Sequence, residues 1–92
     1  MTVRIWNYGN YSSANYGTSR AVQIGTLELY FSYDTIVAFR DMHSEGLIVR
    51  ENDWGPTTGK HLNQLQTNKK LRVNGHYFQV KLEEALRRHG LD

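Results

Sequence analysis

The chain has 92 residues and a net charge of +2, which allows one domain over residues 1–92 and excludes a second hydrophobic core. Apolar residues make up 39% and charged residues 22%, as in ordinary globular proteins, and the absence of cysteine excludes disulfides and thiolate metal sites. No run approaches the roughly 18 apolar residues of a membrane span and the first residues form no signal peptide, so we expect a cytoplasmic protein without a membrane partner.

The first half of the chain predicts an antiparallel sheet. Apolar and polar residues alternate with the period of half-buried strands in Val3–Trp6, Arg20–Ile24 and Thr26–Tyr33, and Leu47–Glu51 is the expected last strand of the sheet. Thr35–Arg40 is more continuously apolar and is expected to be a central strand. Gly25-Thr26 predicts a tight turn and residues 41–46 a hairpin loop, so consecutive strands should be neighbours in space.

A polar loop rich in tyrosine connects the first two strands, at residues 7–17. Its Asn, Gly and Ser residues favour turns, because their backbones and side chains suit turn conformations. The loop carries Tyr11 and Tyr16, which either cover an open sheet edge or contact a ligand.

After residue 55 the pattern becomes helical. Leu62 and Leu65 repeat at i, i+3 and indicate a short helix, for which Thr57 or Thr58 is the expected N-cap. Residues 71–73 are a candidate short strand, and the apolar stripe of residues 76–89 predicts an amphipathic C-terminal helix. The expected fold is α+β: an antiparallel sheet of four to five strands with the short helix and the C-terminal helix packed on one face.

The segment from Gly55 to His61 is close to a phosphate-binding P-loop but fails its spacing. Three residues separate the glycines where four are required, and His61 stands where the motif needs Ser or Thr. A helix N-terminus still offers free amides and a positive dipole end, to which Thr57, Thr58 and Lys60 add donors. We therefore predict a site for an anion here, with an ordinary capped helix start as the alternative.

His61 is the best candidate acid or base, because imidazole titrates near neutrality. Asp34 or Glu51 is the expected orienting partner, yet no nucleophile is fixed by spacing, so no catalytic residue is assigned. The four histidines lack metal-binding spacing, and we expect neither a metal nor another cofactor. Trp54 either stacks on a base or fills the junction between helix and sheet.

Positive charge is concentrated in the second half of the chain. From residue 54 onward there are seven basic and three acidic residues, whereas residues 1–53 hold four basic and six acidic ones. Aromatic and basic side chains together are typical of surfaces that bind single-stranded nucleic acid, and here they are Tyr8, Tyr11, Tyr16, Trp54, Lys60, Lys69, Lys70 and Arg72. A solvated helix face explains the basic residues equally well, and the low net charge argues against tight nonspecific binding.

Three motifs occur together: Asn10-Tyr11-Ser12-Ser13-x-Asn15-Tyr16-Gly17, Tyr30-Phe31-Ser32-Tyr33-x-Thr35-x-Val37-Ala38-Phe39, and Asn52-x-Trp54-x-x-Thr57-Thr58-Gly59-Lys60-His61-Leu62-Asn63. In them the chain resembles a family of small uncharacterised proteins of bacteriophages, plasmids and bacteria, a domain of unknown function. The resemblance implies an accessory protein that acts in the host cytoplasm on nucleic acid, a nucleotide signal or a host protein. It supplies no catalytic residue.

Three functions follow from these observations. The leading hypothesis is a non-enzymatic module that binds nucleic acid or a phosphorylated small ligand through Tyr11, Tyr16, Trp54, Thr57, Thr58, Lys60 and His61. The second is an inhibitor of a host protein such as a defence-system component, and the third is a small enzyme that uses His61. A homodimer is a further alternative, because edge strands of a small sheet invite pairing.

Overall fold

The computed structural model describes residues 3–9, 19–43 and 45–91. In this part of the chain, a five-stranded antiparallel sheet has its strands in chain order. The strands are β1 (Val3–Asn7), β2 (Arg20–Ile24), β3 (Leu27–Ser32), β4 (Thr35–Asp41) and β5 (Glu45–Val49), and the helices that follow are α1 (Pro56–Leu65) and α2 (Gly75–Arg88). The predicted α+β fold is confirmed. No helix within the described ranges is long and apolar enough to cross a membrane.

The two helices cover opposite faces of the sheet. Adjacent residues of a strand point to opposite faces, and Tyr30 packs with Leu62 of α1 whereas Leu29 packs with Phe78 of α2. We call these sides the α1 face and the α2 face. This arrangement corrects one detail of the prediction, which placed both helices on the same face.

The polar residues of β3 explain why helices can cover both faces of the sheet. Alternation predicts that Glu28 and Tyr30 face solvent, but both are buried on the α1 face. The Glu28 carboxylate accepts a hydrogen bond from the Tyr30 hydroxyl at 2.9 Å and pairs with Arg40 Nε at 2.9 Å. Because these polar groups have partners, β3 can be covered on both sides.

The α2 face has a closed apolar core. Phe39 of β4 and Phe78 of α2 meet edge to face, with ring centroids 5.6 Å apart. The other buried members of this core are Leu27, Leu29, Leu82 and Ala85. Helix α2 is capped by Asn74, whose side chain accepts from the Tyr77 amide at 2.8 Å.

A buried carboxylate ties the end of α2 to the sheet. Asp41 Oδ2 lies 3.1 Å from Arg88 Nη2 and 3.2 Å from His89 Nε2, and Oδ1 accepts from the His43 amide. Burial alone would raise the pKa of Asp41, but the hydrogen bonds from these groups together outweigh it and lower the pKa below its ordinary value. Asp41 is therefore ionised and anchors the last turn of α2.

Residues 71–73, the candidate short strand, form only one bridge. Val73 pairs in parallel with Arg50, and its amide donates to the Val49 carbonyl at 2.8 Å. The preceding residues Lys69–Leu71 form a 3₁₀ helix instead of a strand, because the Asn68 side chain accepts from the amide two residues on.

The turn between β3 and β4 is strained. Tyr33 has φ +56°, in the left-handed region that bulky side chains rarely adopt. The turn between β2 and β3 uses the same region at φ +60°, but there Gly25 adopts it without steric penalty. The strained turn is the one that meets α1, since the rings of Tyr33 and His61 lie 5.9 Å apart.

Candidate functional site

Helix α1 begins without a side-chain cap. Gly55 is the N-cap residue, Pro56 stands at the start of the first turn, and no side chain in the described part of the chain bonds the cap amides. The prediction that Thr57 or Thr58 caps the helix is wrong, because proline suits the first helical position and moves both threonines inside the helix. Pro56 has no amide hydrogen and the Gly59 amide bonds the Gly55 carbonyl at 3.2 Å, so the Thr57 and Thr58 amides are the ones that lack a side-chain cap.

Asn52 shapes the loop that leads into α1. Its Oδ1 accepts from the Trp54 amide at 2.9 Å, and its Nδ2 donates to the Gly55 carbonyl at 3.3 Å. A Cβ at position 59 would lie 3.1 Å from Asn52 Nδ2, so Gly59 lets the helix pack closely against this loop. The loop therefore fixes where Trp54 stands relative to the helix.

Thr58 belongs to a buried polar cluster that joins α1 to β3. Ser32 Oγ lies 2.9 Å from Thr58 Oγ1 and 2.7 Å from His61 Nδ1. All three side chains are buried, and His61 has no exposed surface. The hydrogen bonds compensate the loss of water by these groups and set the position of the helix on the sheet.

Burial lowers the pKa of His61, so its imidazole is neutral near pH 7. The rings of Tyr8 and Tyr33 contact it, with centroids 6.3 Å and 5.9 Å away. The sequence suggested Asp34 or Glu51 as its partner, but both are exposed and the hydroxyl next to its Nδ1 is that of Ser32. His61 thus acts as a packing and hydrogen-bonding residue.

A small cleft opens beside this cluster. Its volume is about 70 Å³, and its walls are Ser32, Tyr33, Thr35, Val37, Trp54 and Thr58. Two of these residues are aromatic and largely exposed, Tyr33 at 55% and Trp54 at 40%. The cleft has room for a few water molecules only.

Trp54 lies on the surface and does not fill the junction between helix and sheet. The Arg50 guanidinium stands 4.8 Å from the centre of its ring and is paired with Asp53 at 3.0 Å. This cation–π contact holds one face of the indole. The ring is thereby oriented in advance, which lowers the entropy lost when a ligand stacks on it.

A larger polar groove borders the same helix. It has a volume of about 340 Å³ and is lined by Glu51, Asn52, Gly59, Asn63, Lys69 and Arg72. Arg72 is almost completely buried, and its Nη2 donates to Asn63 Oδ1 and to the Gln66 carbonyl, each at 2.8 Å. These bonds fix the guanidinium before any ligand arrives. Lys69 adds a second, exposed positive charge.

The structure brings together only part of the predicted site. Trp54 and Thr58 line one cleft, whereas His61 lies buried behind it and is bonded to Ser32 of the cleft wall. Lys60 is exposed on the same helix. Thr57 is in the first turn, but its side chain lies outside the described part of the chain. Two further members of the predicted site, the loop tyrosines Tyr11 and Tyr16, lie outside the described residues altogether.

Sequence reasoning missed the two β3–β4 residues of the site, Ser32 and Tyr33. A signal existed for Ser32, since it shares a strand face with Tyr30 and lies at the end of the strand. Nothing local marks Tyr33 as a residue with positive φ. Among the described residues no three His, Asp or Glu side chains group as metal ligands.

The fold and the cleft define a small α+β domain with an open aromatic and polar surface at a helix start. More specifically, the chain belongs to the family of unknown function DUF8033, whose model matches residues 3–79. The matched segment contains all five strands, α1 and the first residues of α2. Comparison with curated proteins and with solved structures gives no match.

Proposed function

We propose that this domain is a non-enzymatic module that binds a nucleotide unit, in single-stranded nucleic acid or in a phosphorylated small molecule, at the start of α1. The observation that carries the proposal is the pair of exposed rings, Tyr33 and Trp54, on one cleft beside an uncapped helix. Exposed aromatic rings hold bases by stacking, which contributes about 1–3 kcal/mol per base.

Groups that bind phosphate border the same helix. Lys69 and the prepositioned guanidinium of Arg72 line the groove, and the positive dipole end of α1 has no side-chain cap. Glu51 on the groove wall reduces the positive charge. We therefore expect binding that depends on the base as well as the phosphate, of moderate affinity and sensitive to salt.

The strain at Tyr33 supports this assignment. A bulky residue at positive φ costs on the order of 1–3 kcal/mol, and such strain is concentrated at functional sites. Here it holds an aromatic ring at the mouth of the cleft with more than half of its surface exposed. A residue needed only for the turn would be glycine, as at position 25.

The test uses a fluorescent oligothymidylate of about 12 nucleotides, with unlabelled thymidine monophosphate as competitor. We expect Trp54→Ala to weaken oligonucleotide binding about tenfold, the loss of one stacked base. Tyr77→Ala is the matched control, because Tyr77 is an equally exposed ring on α2, and it should bind like the wild type. Effective competition by the monophosphate would identify a small phosphorylated ligand.

Two results would contradict the nucleotide site: unchanged affinity in Trp54→Ala, or no binding of either probe. In the second case the same surface is a candidate for a host-protein contact of a phage accessory protein. A stoichiometric host protein that survives nuclease treatment, and is lost with Trp54→Ala but kept with Tyr77→Ala, would replace the nucleotide proposal. An enzyme that uses His61 receives less support, because its ring is fully buried.

A further inference from the structure

Strand β1 is an edge strand of the sheet. Some of its backbone N–H and C=O groups therefore point away from β2, toward the outside of the sheet. The Tyr8 amide donates to the Ser19 carbonyl at 3.0 Å, which fixes the direction of every second residue in the β1–β2 ladder. Tyr8, Trp6 and Arg4 direct their N–H and C=O groups toward β2. The outward N–H and C=O groups therefore belong to Val3, Ile5 and Asn7.

The opposite edge of the sheet is already partly occupied. The Val73 amide donates to the Val49 carbonyl, and the Glu51 amide donates to the Val73 carbonyl, both at 2.8 Å. The segment around Val73 thus covers the end of β5. In the described residues β1 has no strand on its outer side, so it is the edge at which the sheet can grow.

Strand β1 also lacks the features that usually protect an edge. Its pairing with β2 is regular over five residues, without a bulge or a proline. Val3 and Ile5 project from the α2 face with 59% and 67% of their surfaces exposed, because α2 packs against the middle of the sheet. The one charged residue of the strand, Arg4, is on the other face.

We propose that two copies of this chain pair through β1, antiparallel about a two-fold axis at Ile5, so that their sheets form one continuous sheet. In this register Ile5 lies opposite the partner's Ile5, and Val3 lies opposite the partner's Asn7. All outward groups of the three residues are then paired, in about six backbone hydrogen bonds. A shift by two residues in either direction would leave one residue of each strand unpaired.

The side chains of β1 are self-complementary in the same register. Arg4 lies opposite the partner's Trp6, and the chain's own Arg4 already stands 5.1 Å from the ring of its Trp6, so guanidinium and indole are compatible neighbours. No like charges lie directly opposite each other. On the other face the exposed Ile5 side chains cover each other. These features favour a second copy over an unrelated strand.

A single strand pair gives a small interface, so the association should be weak. Interfaces of this size are at the low end of the range for specific complexes, and we expect a dissociation constant of about 1–100 µM. Strand β1 and the start of α1 have no residues in common. A failure of dimerisation would therefore leave the nucleotide site untouched, and the reverse also holds.

The test exploits the two-fold axis. Ile5→Glu or Ile5→Lys alone puts like charges opposite each other, and we expect the dimer to weaken at least tenfold in sedimentation velocity. An equimolar mixture of the two variants should form a heterodimer, visible by native mass spectrometry. Leu47→Glu and Leu47→Lys are the controls, because Leu47 is exposed on β5 at the other edge, and they should dimerise like the wild type.

Disulfide cross-linking tests the same strand pairing independently, in case the charged variants unfold. The chain has no cysteine, so Ile5→Cys introduces a single thiol that should form a disulfide-linked dimer on oxidation. Leu47→Cys should remain monomeric under the same conditions. A wild-type monomer at about 1 mM, folded Ile5 variants that fail to form the heterodimer, or equal cross-linking of both cysteine variants would each overturn the proposal.

Discussion

The α1 face and the α2 face are built on the same strands but with different chemistry. On the α2 face a capped helix of 14 residues buries apolar side chains such as Phe78, and Asp41 ties its end to the sheet. On the α1 face a helix of 10 residues without a side-chain cap packs Leu62 on the sheet and also contacts it through the polar cluster of Ser32, Thr58 and His61. The α2 face is closed where the helix covers the middle of the sheet, and the α1 side carries the cleft and the groove.

The difference indicates a division of roles. Apolar burial contributes most of the stability of a small domain, whereas a buried hydrogen bond contributes only about 1 kcal/mol net. The strained Tyr33 lowers stability further on the α1 face. Both faces bury apolar side chains, so the division is partial: the α2 helix is held by apolar burial, and the α1 face adds polar groups and exposed rings that are available for binding.

The largest expected effect comes from the α2 face. Phe78→Ala removes a fully buried ring that packs on Phe39, and we expect the free energy of unfolding to fall by about 3–5 kcal/mol. Urea denaturation followed by circular dichroism measures this loss. The neighbouring Tyr77→Ala should change stability by less than about 1 kcal/mol, because its ring is half exposed. Similar losses in both variants would contradict a core on this face.

Acid should weaken the two faces in different pH ranges. The folded pKa of His61 is lowered, so the unfolded chain binds a proton more readily than the folded one. The contribution of His61 is fully present above its ordinary pKa of about 6.5 and is lost as the pH falls through the lower folded value. Asp41, also with a lowered pKa, contributes above its ordinary value of 3.8 and loses this contribution only as the pH falls further.

Urea denaturation at a series of pH values distinguishes the contribution of His61 from that of Asp41. We expect His61→Gln to lose about 1–3 kcal/mol at pH 7 and to flatten the decline of stability that begins near pH 6.5. Asp41→Asn should keep that decline and remove the one that begins near pH 3.8. If His61→Gln retains the wild-type slope below pH 6.5, the histidine is not held neutral on the α1 face.

Local signals were enough to predict the sheet but not the site. Strand periodicity, the Gly25 turn and the stripe of α2 all depend on residues close in sequence, and the structure has each of them. The contact between Ser32 and His61 joins residues 29 positions apart, and it exists only because α1 packs on the face opposite to α2. The packing of α1 on this face depends on the burial of Tyr30, whereas the alternating pattern of β3 predicts that Tyr30 faces solvent.

The turn at residue 33 is the place where binding and stability can be separated. Tyr33→Gly removes the penalty of a bulky residue at positive φ, and we expect it to raise the free energy of unfolding by up to about 1 kcal/mol. The same change deletes one ring of the cleft, so oligonucleotide affinity should fall about tenfold. Both quantities are measured on the same preparation, by urea denaturation and by fluorescence polarisation.

Gly25→Ala is the matched control for the backbone effect. Gly25 has φ +60°, and no atom of the described residues lies within 4 Å of an added Cβ. The fall of about 1 kcal/mol in the free energy of unfolding of Gly25→Ala therefore reports the conformational penalty alone. If Tyr33→Gly instead lowers stability, the contact between the Tyr33 and His61 rings outweighs the strain. Tyr33 would then be a structural part of the α1 face, and the stacking surface would reduce to Trp54.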